Sequence, residues 1–296
     1  MKEAKDLPEL PLDRYEFTAR DSRRHTQAQA RMTRTCMRGL GFEDFPLHPK
    51  APKSLEATPL IAVAITSAPY GPLDLDSARR FGYGWDPDRS PADAARPEGR
   101  VMTRAEYEAL NGWDSEPVEP TEPTAPTKPT KPTAPAKPTA PAKPARRGGC
   151  VSSGSERLTE GVQDKTRMST YVPHRGQSLD KAVAKDKRVR EAVDTWAACM
   201  VGKGLKRYKT PSDAFQDKAW GRGNDQGGNT DRTKKELATA TADVECKREH
   251  NTAGVWWAVR AEKQRADVAR HKDAYEAVRA DQDRVRANVD RVLGER

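Results

Sequence analysis

The chain has 296 residues, of which 35% are hydrophobic and 33% are charged, and its mean hydropathy is -0.94. Only small apolar cores are expected from this composition, and the longest apolar run, residues 60–65, is far shorter than the ~20 residues of a membrane-spanning helix. The formal net charge is +9, yet the segment with the largest excess of basic residues, 148–253, carries 20 basic and 15 acidic side chains, and this balance argues against a nucleic-acid-binding protein.

The first predicted element is a helix over residues 13–40. Ala28, Met32, Cys36 and Leu40 recur at intervals of four and therefore share one face, and Gly41 is expected to end the helix. We expect Cys36 to point into a small core.

A loop with several prolines is expected after this helix, at residues 42–59. The β-branched run at 60–66 is expected to be extended but not part of a sheet. Residues 79–85 indicate a compact turn rich in aromatic residues and glycine. Thr103 and Glu106 have the spacing of a capping box and predict a short helix over 103–110.

Ten prolines follow at every third position, which is the period of a polyproline II helix. They are Pro117, Pro120, Pro123, Pro126, Pro129, Pro132, Pro135, Pro138, Pro141 and Pro144. Straight polyproline II of this length would extend on the order of 80–90 Å. We therefore predict a semi-rigid spacer over 115–147.

Beyond the spacer, residues 150–175 are expected to be mostly irregular, and an apolar repeat predicts a helix over 179–201 that ends at Gly202 and Gly204. A short helix over 214–220 and a flexible loop over 221–229 follow. Thr233 and Glu236 then predict another capped helix, in which Leu237, Ala240 and Val244 form the buried side.

The last predicted element is a long amphipathic helix within 254–296, because apolar residues alternate at intervals of three and four. Packing on its own domain is favoured. The alternative is self-association, or packing against a partner helix, through the same seam, which contains Val268, Tyr275, Val278, Val285, Val289 and Val292.

Four cysteines form an even set that can pair completely. Cys36-Met37 and Cys199-Met200 are each followed by a glycine five residues after the cysteine, which suggests two related helical units. Cys199 and Cys246 lie on successive predicted helices, which leaves Cys36 with Cys150. Sequence alone does not choose among the three possible connectivities, but this sequential arrangement is favoured.

No motif indicates a particular reaction, and no cofactor or metal is expected. A zinc site built from Cys246, His250, Cys199 and His174 is a weaker alternative, because the chain has no Cys-x-x-Cys pair. If the protein is an enzyme, the acidic residues within 211–231 are the candidates.

Five short motifs resemble those of uncharacterised envelope proteins from actinomycetes. They are Leu10-Pro11-Leu12-Asp13-x-Tyr15, Cys36-Met37 with Gly41-Phe42, Arg79-Arg80-Phe81-Gly82, Gly149-Cys150, and Ala242-Asp243-x-x-Cys246. The resemblance implies a helical protein that is exported or lipid-anchored and whose four cysteines form disulfides. It implies no activity. No apolar stretch follows residues 1–6, so we expect any export segment to lie upstream of Met1.

The sequence therefore predicts a mainly α protein made of small disulfide-braced helical units, with a long C-terminal helix and an inserted polyproline II spacer. The predicted division is 1–114, 115–147, 148–253 and 254–296. The leading hypothesis is a non-enzymatic extracytoplasmic protein that binds an envelope protein or an anionic wall polymer, and the alternatives are an enzyme or enzyme modulator acting on peptidoglycan and an intracellular nucleic-acid binder. The candidate binding residues are aromatic: Trp196, Tyr208, Trp220, Trp256 and Trp257. We expect them to form a core that extends into a binding surface, and a role in the core alone is favoured for most of them.

Overall fold

The computed structural model describes residues 7–45, 71–86, 102–112, 148–221 and 229–294. Within these ranges the chain is mainly α-helical and contains no strand, which confirms the predicted fold class. The α-helices are α1 (Ala19–Gly39), α2 (Leu75–Phe81), α3 (Arg104–Asn111), α4 (Gly149–Leu158), α5 (Lys165–Ala184), α6 (Lys187–Gly202), α7 (Pro211–Phe215), α8 (Lys234–Glu249), α9 (Thr252–Arg270) and α10 (Lys272–Leu293). Short 3-10 helices lie at Asp13–Tyr15 and Lys218–Trp220.

The chain forms two compact units. Among the described residues, unit 1 contains 7–16, 71–86, 166–221 and 229–280, and unit 2 contains 17–45, 102–112, 148–165 and 281–294. Each unit thus combines segments that are far apart in the sequence, whereas the division made from the sequence is linear. The proline-rich spacer, the apolar run at 60–66 and most of the loop at 221–229 lie outside the described residues.

Unit 1 has three groups of buried apolar side chains. The first surrounds Trp196 and Trp220, which are fully buried among residues of α2, α6, α7 and α8. The second surrounds Trp256, and the third surrounds the contacting rings of Tyr15 and Tyr275. Because a fully buried large apolar side chain contributes roughly 1.5–3 kcal/mol, a few aromatic residues supply much of the stabilisation of this polar chain.

Unit 2 has a smaller apolar core, which is formed by Met37, Ala109 and Cys150. Polar side chains of α10 supplement it. Asp281 accepts hydrogen bonds from the backbone N–H groups of Gln163 and Asp164, at 2.9 and 3.1 Å. Asn288 donates to the carbonyl oxygen of Leu158 at the end of α4. The backbone groups at the end of one helix and before the start of the next have no partner within the helix. These side-chain hydrogen bonds supply partners for such groups between α4 and α5.

Each unit contains one disulfide, and the pairs are Cys36–Cys150 in unit 2 and Cys199–Cys246 in unit 1. This is the sequential arrangement that the sequence favours. The bonds join α1 to α4 and α6 to α8, so each one connects two helices that pack together. No cysteine of the chain is left as a free thiol.

The two Cys-Met pairs, each with a glycine five residues after the cysteine, lie at helix ends that have the same hydrogen-bond pattern. In α1, the N–H of Gly41 donates to the carbonyl of Arg38, and the N–H of Phe42 donates to the carbonyl of Met37. This pair of bonds is the Schellman motif, which requires a left-handed residue that is usually glycine, and Gly41 has a φ of +95°.

The end of α6 repeats these bonds, with Gly204 donating to Val201 and Leu205 donating to Met200. Gly204 has a φ of +76°. Met37 and Met200 are both fully buried, and the apolar residue after each glycine packs against the same cluster as its methionine. In both units this sequence pattern marks the end of a helix, where the disulfide-bonded cysteine comes directly before a buried methionine.

The predicted face of α1 is only partly correct: Ala28 is buried and Cys36 and Leu40 pack against the core of unit 2, but the buried side also includes residues outside the predicted face. The buried residues are Ala28, Thr33 and Met37, whereas Met32 and Cys36 are only half-buried. A strict spacing of four drifts around a helix of 3.6 residues per turn, so the four predicted positions cannot all face one core.

Several helix boundaries also differ from the prediction. Residues 150–175 are largely helical, in α4 and α5, and not irregular. The predicted helix over 179–201 is two helices, because Asp186 caps the start of α6 by accepting from the N–H of Arg188 at 3.1 Å. Residues 79–81 belong to α2, whose first turn is capped by Asp74, and are not part of the predicted turn.

The predicted C-terminal helix is interrupted at His271, which divides it into α9 and α10. Five of the six residues proposed for self-association are buried within the chain, and only Val292 is half-buried. The seam therefore packs on the protein itself, and its five buried residues are not exposed for self-association. No helix of the described residues is long and apolar enough to cross a bilayer.

Candidate functional site

A cavity of about 340 Å³ in unit 1 is lined by three segments that carry charged side chains. Leu12, Asp13 and Glu16 come from the 3-10 helix and its flanks. Arg260 and Gln264 come from α9, where a spacing of four places them on one face. We call this cavity the acid-lined cleft.

The helix α5 supplies the remaining wall, through Val172, Pro173, Gly176, Gln177 and Asp180. These positions are three to four residues apart and so form one stripe of the helix. Pro173 lies inside the helix, where it lacks the N–H that would complete a hydrogen bond to the preceding turn. The stripe combines a proline, a glycine and a carboxylate, and therefore differs from an ordinary apolar packing face.

Three carboxyl groups of the cleft have a raised pKa. Burial raises the pKa of Asp13, of Glu16 and of Asp180, because desolvation disfavours the charged form. The neighbouring charge of Asp13 raises the pKa of Glu16 further. Shifts of several acidic groups in one concave site are typical of functional sites, although structural charge networks also produce them.

One guanidinium lies opposite these carboxyl groups. Arg260 Nε lies 2.7 Å from Asp180 Oδ1, and Arg260 Nη2 donates to Asp180 Oδ2 at 3.1 Å. Its guanidinium carbon also lies 5.8 Å from the ring centroid of Trp257. Arg260 is thus held in place by one carboxylate of the cleft. Its charge lowers the pKa of Asp13 and Glu16, but burial has the larger effect and the pKa of both groups is raised.

Gln264 forms the floor of the cleft and is 1% exposed. Its Oε1 accepts a hydrogen bond from the N–H of Leu12 at 3.2 Å, which fixes the orientation of the amide. Its Nε2 forms no hydrogen bond with the part of the chain that the structure describes. The amide group therefore has one donor available to a ligand.

A second set of polar groups lies close to this site, on α5, α9 and α10. Tyr275 donates to Asp267 at 2.6 Å, and Arg175 donates two hydrogen bonds to the same carboxylate. Burial opposes ionisation of Asp267, but the hydrogen bonds from Arg175 and Tyr275 hold its pKa below the usual value. These paired groups fix the elements that form the cleft and are not available for acid–base chemistry.

A buried ion pair occupies the first apolar group of unit 1. Lys247 Nζ donates to Asp243 at 2.7 Å and to the carbonyl of Pro72 at 3.1 Å. Asp243 also accepts from Trp196 Nε1 at 2.9 Å and from the hydroxyl of Tyr83 at 3.3 Å. Burial raises the pKa of Asp243 and lowers that of Lys247, while their mutual attraction opposes both changes. This network joins the segment before α2 to α6 and α8, and we assign it a structural role.

The aromatic residues predicted to form a binding surface are mostly core residues. Trp196, Tyr208, Trp220 and Trp256 are buried, and the first three belong to the same apolar cluster. Only Trp257 is half-buried, and its Nε1 donates to the carbonyl of Pro8. Their burial agrees with the expectation that most of these residues form a core, since a chain with few apolar residues needs its aromatic side chains for packing, and a binding role for the half-buried Trp257 stays a prediction.

Two of the four residues of the zinc alternative, Cys199 and His250, lie close together in the structure. Ligand atoms of Cys199, Glu249 and His250 lie within 4.8 Å of one another. However, the sulfur of Cys199 is bonded to Cys246, and a disulfide sulfur is not a thiolate ligand. His174 is not part of this group.

Of the acidic residues proposed for an enzyme within 211–231, Asp213 and Asp217 have structural partners. Asp213 accepts a hydrogen bond from Thr210 at the start of α7. Asp217 caps the 3-10 helix at Lys218–Trp220 and accepts from Lys206 and Tyr208, and its pKa is lowered, chiefly by the hydrogen bond from the backbone of Ala219. Capping explains these carboxylates, and the acid-lined cleft is the better candidate site.

Comparison of the chain with family models, with curated proteins and with solved structures finds no match. The resemblance to actinomycete envelope proteins therefore stays a prediction. One of its motifs, Leu10-Pro11-Leu12-Asp13-x-Tyr15, coincides with the 3-10 segment that lines the cleft.

Proposed function

We propose that this chain is a non-enzymatic extracytoplasmic protein of the cell envelope that binds a wall polymer or an envelope protein. The observation that carries the proposal is that both units contain a disulfide and that the chain has no free cysteine. Disulfides persist in secreted and envelope compartments and are rare in reducing ones. The resemblance of five short motifs to those of actinomycete envelope proteins, which is itself a prediction, favours the same compartment.

We propose the acid-lined cleft as the binding site, in place of the aromatic surface expected from the sequence. It is the site in unit 1 where charged side chains, an available amide donor and a cavity of about 340 Å³ coincide. Small-molecule sites typically have volumes of about 300–1,000 Å³, so the cleft suits one residue or one small group of a larger polymer or protein.

An enzyme acting on peptidoglycan is the second candidate. It is favoured by the raised pKa of Asp13, Glu16 and Asp180, because a raised pKa shifts a carboxyl group toward the protonated form that a general acid needs. Asp13 and Glu16 replace the acidic residues of 211–231 as the candidates for this activity.

Cosedimentation with purified peptidoglycan sacculi separates the two functions. We expect the protein to sediment with sacculi or with a detergent-treated envelope fraction without releasing soluble fragments, as measured by chromatography of the supernatant. Release of fragments that is lost in Glu16→Gln would establish the enzyme instead. The exposed Asp194 offers the control variant Asp194→Asn, which should behave as wild type. Failure to bind either fraction would contradict the proposed binding function.

A further inference from the structure

Two side chains of the types that bind metal ions lie beside the disulfide of unit 1. Cys199 Sγ is 4.0 Å from Glu249 Oε2, and Glu249 Oε1 is 3.8 Å from His250 Nε2. Around a tetrahedral zinc ion, whose bonds are about 2.0–2.3 Å long, the ligand atoms lie roughly 3.3–3.8 Å apart. These side chains are therefore spaced almost as zinc requires. Together with Cys246, which is bonded to Cys199, we call them the cysteine–histidine cluster.

Helix ends fix the positions of the four residues. Cys199 lies in the last turn of α6, and Cys246 lies in the last turn of α8, which Glu249 ends. His250 caps α8, and its N–H donates to the carbonyl of Cys246 at 3.1 Å. The C-terminal end of a helix carries a partial negative charge, so the ends of both helices favour a cation at this place.

The cluster is open to solvent on one side. The side chains of Glu249 and His250 are 62% and 30% exposed, and Cys199 is half-buried, so an ion can reach them without rearrangement of the helices. Cys246 is fully buried and closes the other side. At the Cys36–Cys150 bond the described residues provide no such group of ligands, and that bond packs among apolar side chains.

Reduction of the disulfide supplies the missing ligands, because zinc binds thiolates and not a disulfide. Two electrons from a thiol reductant break the S–S bond, the reductant becomes a disulfide, and each cysteine sulfur takes up a proton. Zinc displaces both protons when it binds the two sulfurs. In the reverse direction, an oxidising disulfide accepts two electrons from the thiolates, the S–S bond forms again and the ion leaves.

We infer that the cysteine–histidine cluster binds Zn²⁺ when its cysteines are reduced and that formation of the disulfide expels the ion. Two thiolates, one imidazole and one carboxylate are a ligand set that suits tetrahedral zinc. The metal site and the disulfide are thus alternative states of the same two cysteines. This inference goes beyond the proposed envelope function and does not depend on it, since it concerns the chain before its disulfide forms.

Zinc titration of the full chain in its two redox states tests this inference. The protein is titrated with zinc sulfate in the oxidised state and after reduction with a phosphine, which is removed before the titration. Competition with a chromophoric chelator measures the bound zinc. We expect the reduced protein to bind zinc and the oxidised protein not to bind it. An oxidising disulfide added to the zinc-loaded protein should release the ion in step with the loss of free thiols.

Two histidine variants identify the site. His250→Ala removes the imidazole ligand and should weaken zinc binding by the reduced protein by at least about tenfold. His174→Ala is the matched control, because His174 is exposed on α5 and is not part of the cluster, and its affinity should equal that of wild type. Cobalt(II) gives a second readout, since thiolate coordination produces a charge-transfer absorption that carboxylates alone do not.

The inference is overturned if the oxidised and reduced proteins bind zinc equally, if His250→Ala and His174→Ala have the same affinity, or if the reduced protein binds no zinc. Circular dichroism with and without zinc follows the helices, and a loss of helix on reduction that zinc does not restore counts as failure to bind. Sacculus cosedimentation of the oxidised protein should not change in His250→Ala, so failure of the zinc site leaves the proposed function standing.

Discussion

Replacing Lys247 by methionine tests whether the buried ion pair holds unit 1 together. Lys247 is 1% exposed and Asp243 is fully buried, so neither charge is screened by water. Lys247→Met would remove the hydrogen bonds of 2.7 Å to Asp243 and 3.1 Å to the carbonyl of Pro72. Trp196 and Tyr83 would remain as the only donors to a buried carboxylate, according to the described contacts of Asp243.

The expected cost follows from the unpaired charge. Breaking a buried pair by removing one partner typically lowers the free energy of unfolding by about 3–5 kcal/mol, because the remaining charge is left without compensation. The double variant Asp243→Asn/Lys247→Met should cost less than the single variant. The asparagine still accepts from Trp196 and carries no charge, so the desolvation penalty of a lone carboxylate disappears.

Urea unfolding followed by tryptophan fluorescence measures these differences, because Trp196 donates directly to Asp243. Lys235→Met is the matched control, since Lys235 is exposed on the same helix and its change should stay within about 0.5 kcal/mol of wild type. The reasoning is refuted if Lys247→Met costs under about 1 kcal/mol, or if the double variant is as unstable as the single one.

Three further changes test other parts of the structure. Replacing Cys199 and Cys246 by alanine opens a loop with a sequence separation of 47 and should lower the free energy of unfolding by about 4 kcal/mol; a loss below about 1 kcal/mol in urea unfolding would contradict the bracing role. Gly204→Ala should lower the melting temperature, because alanine at a φ of +76° costs about 1 kcal/mol, whereas Gly202→Ala, with open space around the added Cβ, should not; equal effects would argue against the Schellman explanation. Asp13→Asn should stabilise the protein at neutral pH. Since burial raises the pKa of Asp13 in the folded state, its ionisation costs stability as pH rises, and the gain should vanish below about pH 4; a gain of equal size at pH 3 and pH 7 would contradict this cause.

Local signals in the sequence were sufficient for part of the fold. The capping box of Thr103 and Glu106 is present at the start of α3, with both reciprocal bonds formed. The end of α6 lies at Gly202 and Gly204 as expected. These features depend on a few neighbouring residues, so the sequence contains the information in one place.

Features that depend on contacts between distant residues could not be predicted from local sequence signals. The helix α4 has a glycine as its N-cap and no side-chain cap, and α5 contains Pro173, so neither shows the usual signals. Asp243 and Lys247, four residues apart, have the spacing of an exposed helix pair, and only the packing of Trp196 and Tyr83 reveals that they are buried.

The acid-lined cleft is also a product of tertiary structure. Its residues come from three segments of the sequence, near positions 12–16, 172–180 and 260–264, and no single segment contains all of the charged groups of the cleft. The pKa shifts arise only when the carboxyl groups are brought together and buried.

The extracytoplasmic, disulfide-bonded state is the central claim, and mass-spectrometric mapping of the protein from living cells tests it most directly. Cells are treated with a thiol-blocking reagent before lysis, and the envelope and secreted fractions are digested without reduction. We predict linked peptides that contain Cys36 with Cys150 and Cys199 with Cys246, recovered from those fractions. Four blocked thiols, or a protein found only in the cytoplasmic fraction, would contradict the account.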